Sequence, residues 1–223
     1  MGIILSKEQK NEAATINYHN IVSKNLLLIF TRNPELGKCK TRLAVTVGNE
    51  NALAIYQFLL GHTVAITKET EAAKQVWYSE EIWANDIWAN TIYEKRLQVG
   101  HHLGERMANA FQSAFASGYE RVIIIGSDMY DLNRSDIENA FTMLNKTDFV
   151  IGPATDGGYY LLGMKTFKPE LFEHKNWGSA TVLEMTLNDL KNENIHLLDA
   201  RNDVDVYDDI KDIAAFQPYL KNI

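Results

Sequence analysis

The sequence lacks features that several classes of protein require. Its 223 residues include a single cysteine, Cys39, so no disulfide can form within the chain and a thiolate metal site is not expected. This favours a reducing, cytoplasmic setting. No apolar run approaches the ~20 residues that a helix needs to cross a bilayer, so we predict no membrane span.

Positive charge is also scarce. The chain has 22 Lys and Arg against 29 Asp and Glu, and the net charge of −7 argues against a nucleic-acid partner. Hydrophobic residues make up 46% and charged residues 23%, values that are ordinary for a globular domain. Four cations are nevertheless concentrated in one short segment, "TRNPELGKCKTRL" (31–43), which we call the basic loop.

Apolar strand patterns and helical patterns alternate along the chain. "NLLLIF" and "RVIIIG" predict buried strands, and "LGERMANAFQSAFASG" predicts a helix with one apolar stripe. Further helices are predicted in "ENALAIYQFLLGHTVAITK", in "RSDIENAFTML" with Ser135 as its N-cap, and in "DVYDDIKDIAAF". Such alternation indicates a mostly parallel sheet with helices on both faces. We assign residues 1–24 to an N-terminal extension and 25–223 to one α/β domain.

The basic loop follows the first predicted strand but matches neither common phosphate motif. A Walker A motif needs a Gly five residues before Gly37 and a Ser or Thr after the next Lys, where this chain has Arg and Cys. The dinucleotide pattern G-x-G-x-x-G is absent. Lys40 still supplies a compact ammonium charge, and Arg42 supplies a planar guanidinium that can make two parallel hydrogen bonds. This combination suits two adjacent phosphates. A solvated basic turn explains the same residues, so both interpretations stay open.

Carboxylates follow several predicted strands. Asp128 ends "RVIIIGSD", Asp156 follows "FVIGP", and Asp203 and Asp205 follow "IHLLDA". Ligands of parallel sheets bind at the carboxyl ends of the strands, and Mg²⁺ prefers carboxylate and phosphate oxygens together. We therefore expect a metal–diphosphate site in which Asp203 or Asp205 completes the metal shell. Turn formation and helix capping are the local alternatives for these acids.

Five ordered motifs resemble a family of bacterial GT-A-like proteins, formerly a domain of unknown function (DUF2064). Its members are now usually described as nucleotide-diphospho-sugar transferases, some linked to arsenosugar biosynthesis. The motifs are "NPELGKCKTRL", "LGERMANAF", "GSDMYDL", "GPATDGGYYLLG" and "DVDVYDDI". They are more distantly similar to phospholactate guanylyltransferases. The resemblance covers about residues 25–216 and implies a Rossmann-like GT-A fold with a nucleotide over the carboxyl edge of the sheet.

The resemblance also implies roles for individual residues. The implied catalytic set is Asp128, Asp156, Lys40 and Arg42. Contacts with the nucleotide are implied for Gly37, Lys40, Arg42, Gln98, Gly104 and Glu105. Mg²⁺ or Mn²⁺ would bind Asp128 and Asp205. Tyr130 departs from the family, which more often has Pro at this position.

The leading hypothesis is a metal-dependent glycosyltransferase that uses a nucleotide-sugar donor and a small-molecule acceptor. The alternatives are a nucleotidyltransferase that releases pyrophosphate and a non-catalytic nucleotide-binding relative. The residues do not distinguish glycosyl transfer from nucleotidyl transfer, because both reactions need the same cations and metal. A homo-oligomer is compatible with the sequence.

Overall fold

A seven-stranded sheet forms the centre of residues 23–221, the part of the chain that this computed structural model describes. The N-terminal extension expected at 1–24 therefore lies, except for its last two residues, outside the described residues. The strands are β1 (Asn25–Thr31), β2 (Ala73–Tyr78), β3 (Glu94–Leu97), β4 (Arg121–Gly126), β5 (Phe149–Pro153), β6 (Tyr159–Met164) and β7 (Ile195–Leu197). Their spatial order is β3-β2-β1-β4-β6-β5-β7.

The sheet is mixed but mostly parallel. β6 runs antiparallel to β4 and β5, and the other neighbouring pairs are parallel. The carboxyl ends of six strands therefore meet at one edge, which we call the carboxyl edge. Strand order reverses at β1, which pairs with β2 on one side and β4 on the other. Such a switch point leaves a crevice at the carboxyl edge. The predicted α/β class is confirmed.

Four helices cover the two faces of the sheet: α1 (Thr41–Thr67), α2 (Leu103–Ala116), α3 (Arg134–Met143) and α4 (Val182–Asp189). Alternate residues of β1 point to opposite faces, so Leu27 and Ile29 pack under α1 and α3, while Leu26 and Leu28 pack under α2 and α4. Within the described residues, none of these helices has both the length and the hydrophobicity that crossing a membrane requires.

α1 begins earlier than its apolar stripe predicts. The pattern points to a start near residue 50, yet the helix begins at Thr41, within the last three residues of the basic loop. Gly48, with φ 81° and ψ 158°, separates a short first segment from the long remainder. This backbone region is open almost only to glycine. The short segment lies at the carboxyl edge, beside the loop that precedes it.

Two other helix predictions are wrong. The N-cap of α3 is Asn133, not Ser135, because Asn133 and Asp136 each accept the backbone N–H of the other. The predicted final helix is replaced by two 3₁₀ turns, Tyr207–Asp209 and Ala214–Tyr219.

Candidate functional site

A cavity of about 610 Å³ opens at the carboxyl edge beside the switch point. Its size is typical of ligand sites in proteins. The cationic and imidazole side chains that line it are Arg32, Lys38, Lys40, Arg42, His101, His102 and Arg106. We call it the basic cavity. Five permanent cations and the two carboxylates of Asp128 and Asp205 line it, so the lining is net positive in an acidic protein and suits a ligand with several negative charges.

Lys40 is the most constrained of these cations. Its backbone is left-handed (φ 47°, ψ 45°), a conformation uncommon for a residue other than glycine. Its side chain is only 8% exposed, and Nζ donates a hydrogen bond of 2.6 Å to Oδ2 of Asp128. Burial disfavours the charge, but the carboxylates of Asp128 and Asp205 outweigh it and raise the pKa of Lys40. The cavity therefore contains a fixed, buried positive charge.

The start of α1 adds to this positive field. Within the described part of the chain, no side chain caps its first turn, and the turn contains no acidic residue. Uncapped N–H groups at a helix start attract anions. Thr41 and Arg42, in this first turn, line the basic cavity. Arg42 is 72% exposed, and its guanidinium pairs with the carboxylate of Asp205. The structure thus brings Lys40, Arg42, Asp128 and Asp205 to one cavity.

A smaller cavity of about 170 Å³ adjoins this group and is lined by three carboxylates, those of Asp128, Asp156 and Asp203. We call it the acidic cavity. Burial and the charges of Asp156 and Asp205 raise the pKa of Asp203. Crowded carboxylates that disfavour one another's charge provide the oxygen ligands that a hard divalent cation prefers.

The donor set therefore fits a divalent cation, although incompletely. Among residues 23–221, no three Asp, Glu, His or Cys side chains are spaced to hold a metal ion. Oxygens of a substrate or of water would have to complete the shell, as is usual for Mg²⁺. Asp203, rather than Asp205, shares the acidic cavity with Asp128. Asp203 and Asp205 are both candidate metal ligands on sequence spacing alone, and only the fold separates their positions.

Tyr56 of α1 holds the beginning of the basic loop in place. Its hydroxyl accepts the backbone N–H of Arg32 at 2.9 Å and donates to the carbonyl of the same residue at 3.1 Å. The hydroxyl also lies 3.3 Å from Oγ of Ser127, beside Asp128. The sequence predicts only that Tyr56 lies in the helix "ENALAIYQFLLGHTVAITK". The signal that could have indicated this role is a tyrosine hydroxyl within the apolar positions of the helix that follows the loop.

Three residues expected at the nucleotide make contacts within the protein. Gln98 lines the basic cavity, but its amide donates to the backbone carbonyls of Thr31 (3.3 Å) and Trp77 (2.8 Å), so it ties strand ends together. Gly104 is buried against Trp177. The carboxylate of Glu105 accepts the backbone N–H of His101 at 2.7 Å. Gly104 and Glu105 are not among the residues that line the basic cavity.

The last two positions named from the resemblance have local roles. Gly37 adopts φ 74°, the left-handed geometry that turns the basic loop back toward α1. Tyr130 packs its ring against Phe216 and Phe58, with centroid distances of 4.9 and 5.8 Å. The ring therefore belongs to an aromatic cluster beside α1, away from the acidic cavity.

Comparisons with known proteins identify a family. A family model described as "Uncharacterized protein conserved in bacteria (DUF2064)" matches residues 61–179, a range that contains Asp128 and Asp156. The crystal structure of a candidate nucleotide-diphospho-sugar transferase from Desulfovibrio desulfuricans G20 is similar to this chain, with 31% sequence identity and a TM-score of 0.77. The match covers 89% of this chain and 94% of that one. No curated protein sequence matches.

More distant solved structures share the fold alone. A cytidylyltransferase from Leptospira borgpetersenii has 13% identity and a TM-score of 0.52, over 83% of each chain. A 4-diphosphocytidyl-2C-methyl-D-erythritol synthase from Anaerococcus prevotii has 7% identity and a TM-score of 0.52, over 88% of this chain and all of that one.

Proposed function

Because the chain belongs to the DUF2064 family of bacterial proteins, we propose that it is a metal-dependent glycosyltransferase with a nucleotide-diphospho-sugar donor and a small-molecule acceptor. One observation carries the proposal. The buried cation Lys40 is bonded to Asp128 where a basic cavity of five cations meets a cavity lined by three carboxylates. The name of the 31% identical relative supports the same donor class.

The basic cavity would hold the diphosphate of the donor. Lys40 and Arg42 supply charge-assisted hydrogen bonds, and the uncapped first turn of α1 adds backbone N–H groups. These groups are in place before the reaction, so they stabilise the charge that develops on the departing nucleoside diphosphate.

The acidic cavity would hold the metal. Asp128 and Asp203 are the ligands that we propose, because both line this cavity, whereas Asp205, the ligand implied by the resemblance, lines the basic cavity. A bound Mg²⁺ or Mn²⁺ supplies further charge neutralisation to the diphosphate.

Asp156 would accept the proton of the acceptor. Its Oδ1 accepts the N–H of Gly158 at 2.8 Å, which orients the carboxylate in the wall of the acidic cavity. The acceptor oxygen then forms a bond to the anomeric carbon as the bond from that carbon to the diphosphate oxygen breaks. The electron pair leaves on the nucleoside diphosphate, and the hydroxyl proton passes to Asp156.

Calorimetry of nucleotide sugars with and without Mn²⁺ tests this proposal. We expect binding that requires the metal in the wild-type protein and is lost in Asp128→Ala. Asp148→Ala is the matched control, because Asp148 precedes β5 at the opposite edge and pairs with Lys165 at 3.0 Å. The proposal fails if Asp128→Ala binds as the wild type does, or if no nucleotide sugar binds.

One observation favours a nucleotidyltransferase as the second candidate. Five cations less two carboxylates leave three net positive charges in the lining of the basic cavity, more than the negative charge of a nucleotide-sugar diphosphate, and the cavity has room for a triphosphate. The product decides between the two reactions: release of pyrophosphate from a nucleoside triphosphate supports this candidate, and release of nucleoside diphosphate from a nucleotide sugar supports the first. Metal-dependent binding without any turnover would instead indicate the non-catalytic relative.

Location and assembly stay predictions. We propose a cytoplasmic enzyme, since the single cysteine is buried and the sequence contains no second thiol to pair with it. Five cations line one cavity of a chain whose net charge is −7, which supports a small anionic substrate rather than a nucleic acid. A homo-oligomer remains compatible with the chain.

A further inference from the structure

A third cavity, of about 250 Å³, adjoins the acidic cavity where β4 and β6 face α2 and α4. Its walls are mostly apolar and include Phe30, Met107, Ile124, Trp177 and Val182. We call it the apolar cavity. Among the described residues that line it, Asp156 alone is charged, and a single carboxylate suits neither a phosphate nor, by itself, a metal ion. Its occupant is therefore a different chemical group from those of the other two cavities.

The apolar and acidic cavities share a wall. Gly126, Asp156, Gly158, Tyr159 and Tyr160 line both of them. A molecule seated in the apolar cavity would therefore present its end to Asp156, the residue that we propose as proton acceptor. This position is the one that the acceptor of the transfer must occupy.

Tyr159 provides a polar group within this apolar surrounding. Burial raises the pKa of its hydroxyl, so the group stays protonated and able to donate. Its neighbour among the described residues is Sδ of Met107 at 4.0 Å, and a thioether sulfur is a weak acceptor. The hydroxyl thus keeps most of its hydrogen-bonding capacity for a ligand oxygen.

Trp177 forms a fixed wall of the apolar cavity. Its indole packs on Gly104 so closely that a Cβ at this glycine would lie 2.3 Å from Nε1. Real Cβ atoms do not approach other atoms so closely, so the indole ring occupies the space of the missing side chain. The apolar cavity is therefore built before any ligand enters it.

We infer that the apolar cavity binds the non-polar part of the acceptor, which makes the acceptor a small aryl or alkyl alcohol rather than a bare sugar. Its reacting hydroxyl meets Asp156, and a second oxygen accepts a hydrogen bond from Tyr159. A cavity of about 150 Å³ holds benzene, so this one admits a group of roughly ten non-hydrogen atoms. The role as acceptor rests on the proposed transfer, whereas the binding of an apolar group does not.

Binding of 2-naphthol tests this inference. The methyl resonance of Met107, identified by its loss in Met107→Leu, reports on occupation of the apolar cavity in the wild-type protein. We expect a saturable shift with 2-naphthol and none with the polar probe myo-inositol.

Matched variants locate the probe. Val182→Phe narrows the apolar cavity, and we expect at least tenfold weaker binding of 2-naphthol. Tyr159→Phe should weaken binding of naphthalene-2,7-diol, which has the second oxygen that 2-naphthol lacks, about fivefold through the lost hydrogen bond. The controls, Val45→Phe at an 87% exposed position and Tyr119→Phe, should bind as the wild type does. Thermal unfolding of each variant shows that it is folded.

The outcomes separate this inference from the proposed function. Equal binding of 2-naphthol by the wild type and a folded Val182→Phe, or an equal Met107 shift with myo-inositol, overturns the inference. Lys40→Ala should keep 2-naphthol binding while weakening nucleotide binding. A protein that binds 2-naphthol but no nucleotide contradicts the proposed transfer and still supports an apolar ligand in this cavity.

Discussion

Lys40 combines an unfavourable backbone conformation with an almost fully buried charge. A left-handed residue other than glycine costs of order 1 kcal/mol, and such residues cluster at functional sites. Asp128, which is less buried than its partner, holds the ammonium in place. This arrangement keeps the cation oriented toward the basic cavity.

We predict that Lys40→Ala weakens nucleotide binding by about 10- to 100-fold, because a charge-assisted hydrogen bond to phosphate contributes roughly 1.5–3 kcal/mol. Isothermal titration calorimetry measures the change. Lys165→Ala is the control, since its ion pair lies at the opposite edge of the sheet. Unchanged affinity in Lys40→Ala would remove this residue from the proposed phosphate site.

Cys39 lies between two lysines but is a poor nucleophile. The thiol is 3% exposed, and burial raises its pKa even though Lys40 and Arg32 lower it. Since the thiolate is the reactive form, we predict slow reaction with Ellman's reagent at pH 7.5 in the native protein and fast reaction in urea. Fast labelling of the native protein would show that the basic loop opens readily.

At the scale of the element, the kink at Gly48 separates the end of the basic loop from the long part of α1. Gly48 lies in a backbone region that other residues avoid, so we predict that Gly48→Ala lowers the free energy of unfolding by about 1–3 kcal/mol. Gly61→Ala, in the same helix, is the control. Its Cβ would meet Ile87 at an ordinary 3.9 Å, so the change should be neutral or stabilising.

Urea unfolding of the two glycine variants measures both effects. If Gly48→Ala is as stable as Gly61→Ala, α1 can straighten without cost, and the kink does not hold the loop.

The elements predicted most accurately are those with an unambiguous local pattern. The apolar runs of β1 and β4 and the apolar stripe of α2 are visible without knowledge of the fold. The prediction of a final helix is wrong because local hydrogen bonds form a different structure in its place. Asp209 accepts the backbone N–H groups of Asp205 and Val206, and these bonds close a short turn. Side-chain capping of this kind competes with helix formation, and the amino-acid composition of the segment does not reveal it.

The site was predictable to the extent that strand ends determine position. Asp128 and the basic loop follow adjacent parallel strands, so their proximity could be inferred from the order of the chain. The separate positions of Asp203 and Asp205 could not, because two residues of an irregular segment have no fixed period. The packing of Gly104 under Trp177 joins distant parts of the sequence and leaves no local signal.

At the scale of the whole molecule, buried tyrosines should make the protein sensitive to alkali. Burial raises the pKa values of Tyr56, Tyr78 and Tyr159, and the carboxylate of Asp86 adds to the effect at Tyr78. In the unfolded chain these groups lose their protons near pH 10. The unfolded state then binds fewer protons than the folded state, so the free energy of unfolding falls as pH rises above about 10.

Urea unfolding between pH 8 and 11 measures this loss, and absorbance at 295 nm follows tyrosine ionisation in the native protein. Tyr159→Phe should reduce the slope above pH 10. A free energy of unfolding that stays constant to pH 11 would contradict the burial of these hydroxyls.

The packing of Trp177 on Gly104 also constrains how the family can diverge. A relative with Ala or a larger residue at the position of Gly104 has no room for an indole above it. We therefore predict that the two positions change together, with a smaller side chain replacing Trp wherever Gly is lost. Since Trp177 is a wall of the apolar cavity, such paired changes would mark the branches of the family that accept a different substrate.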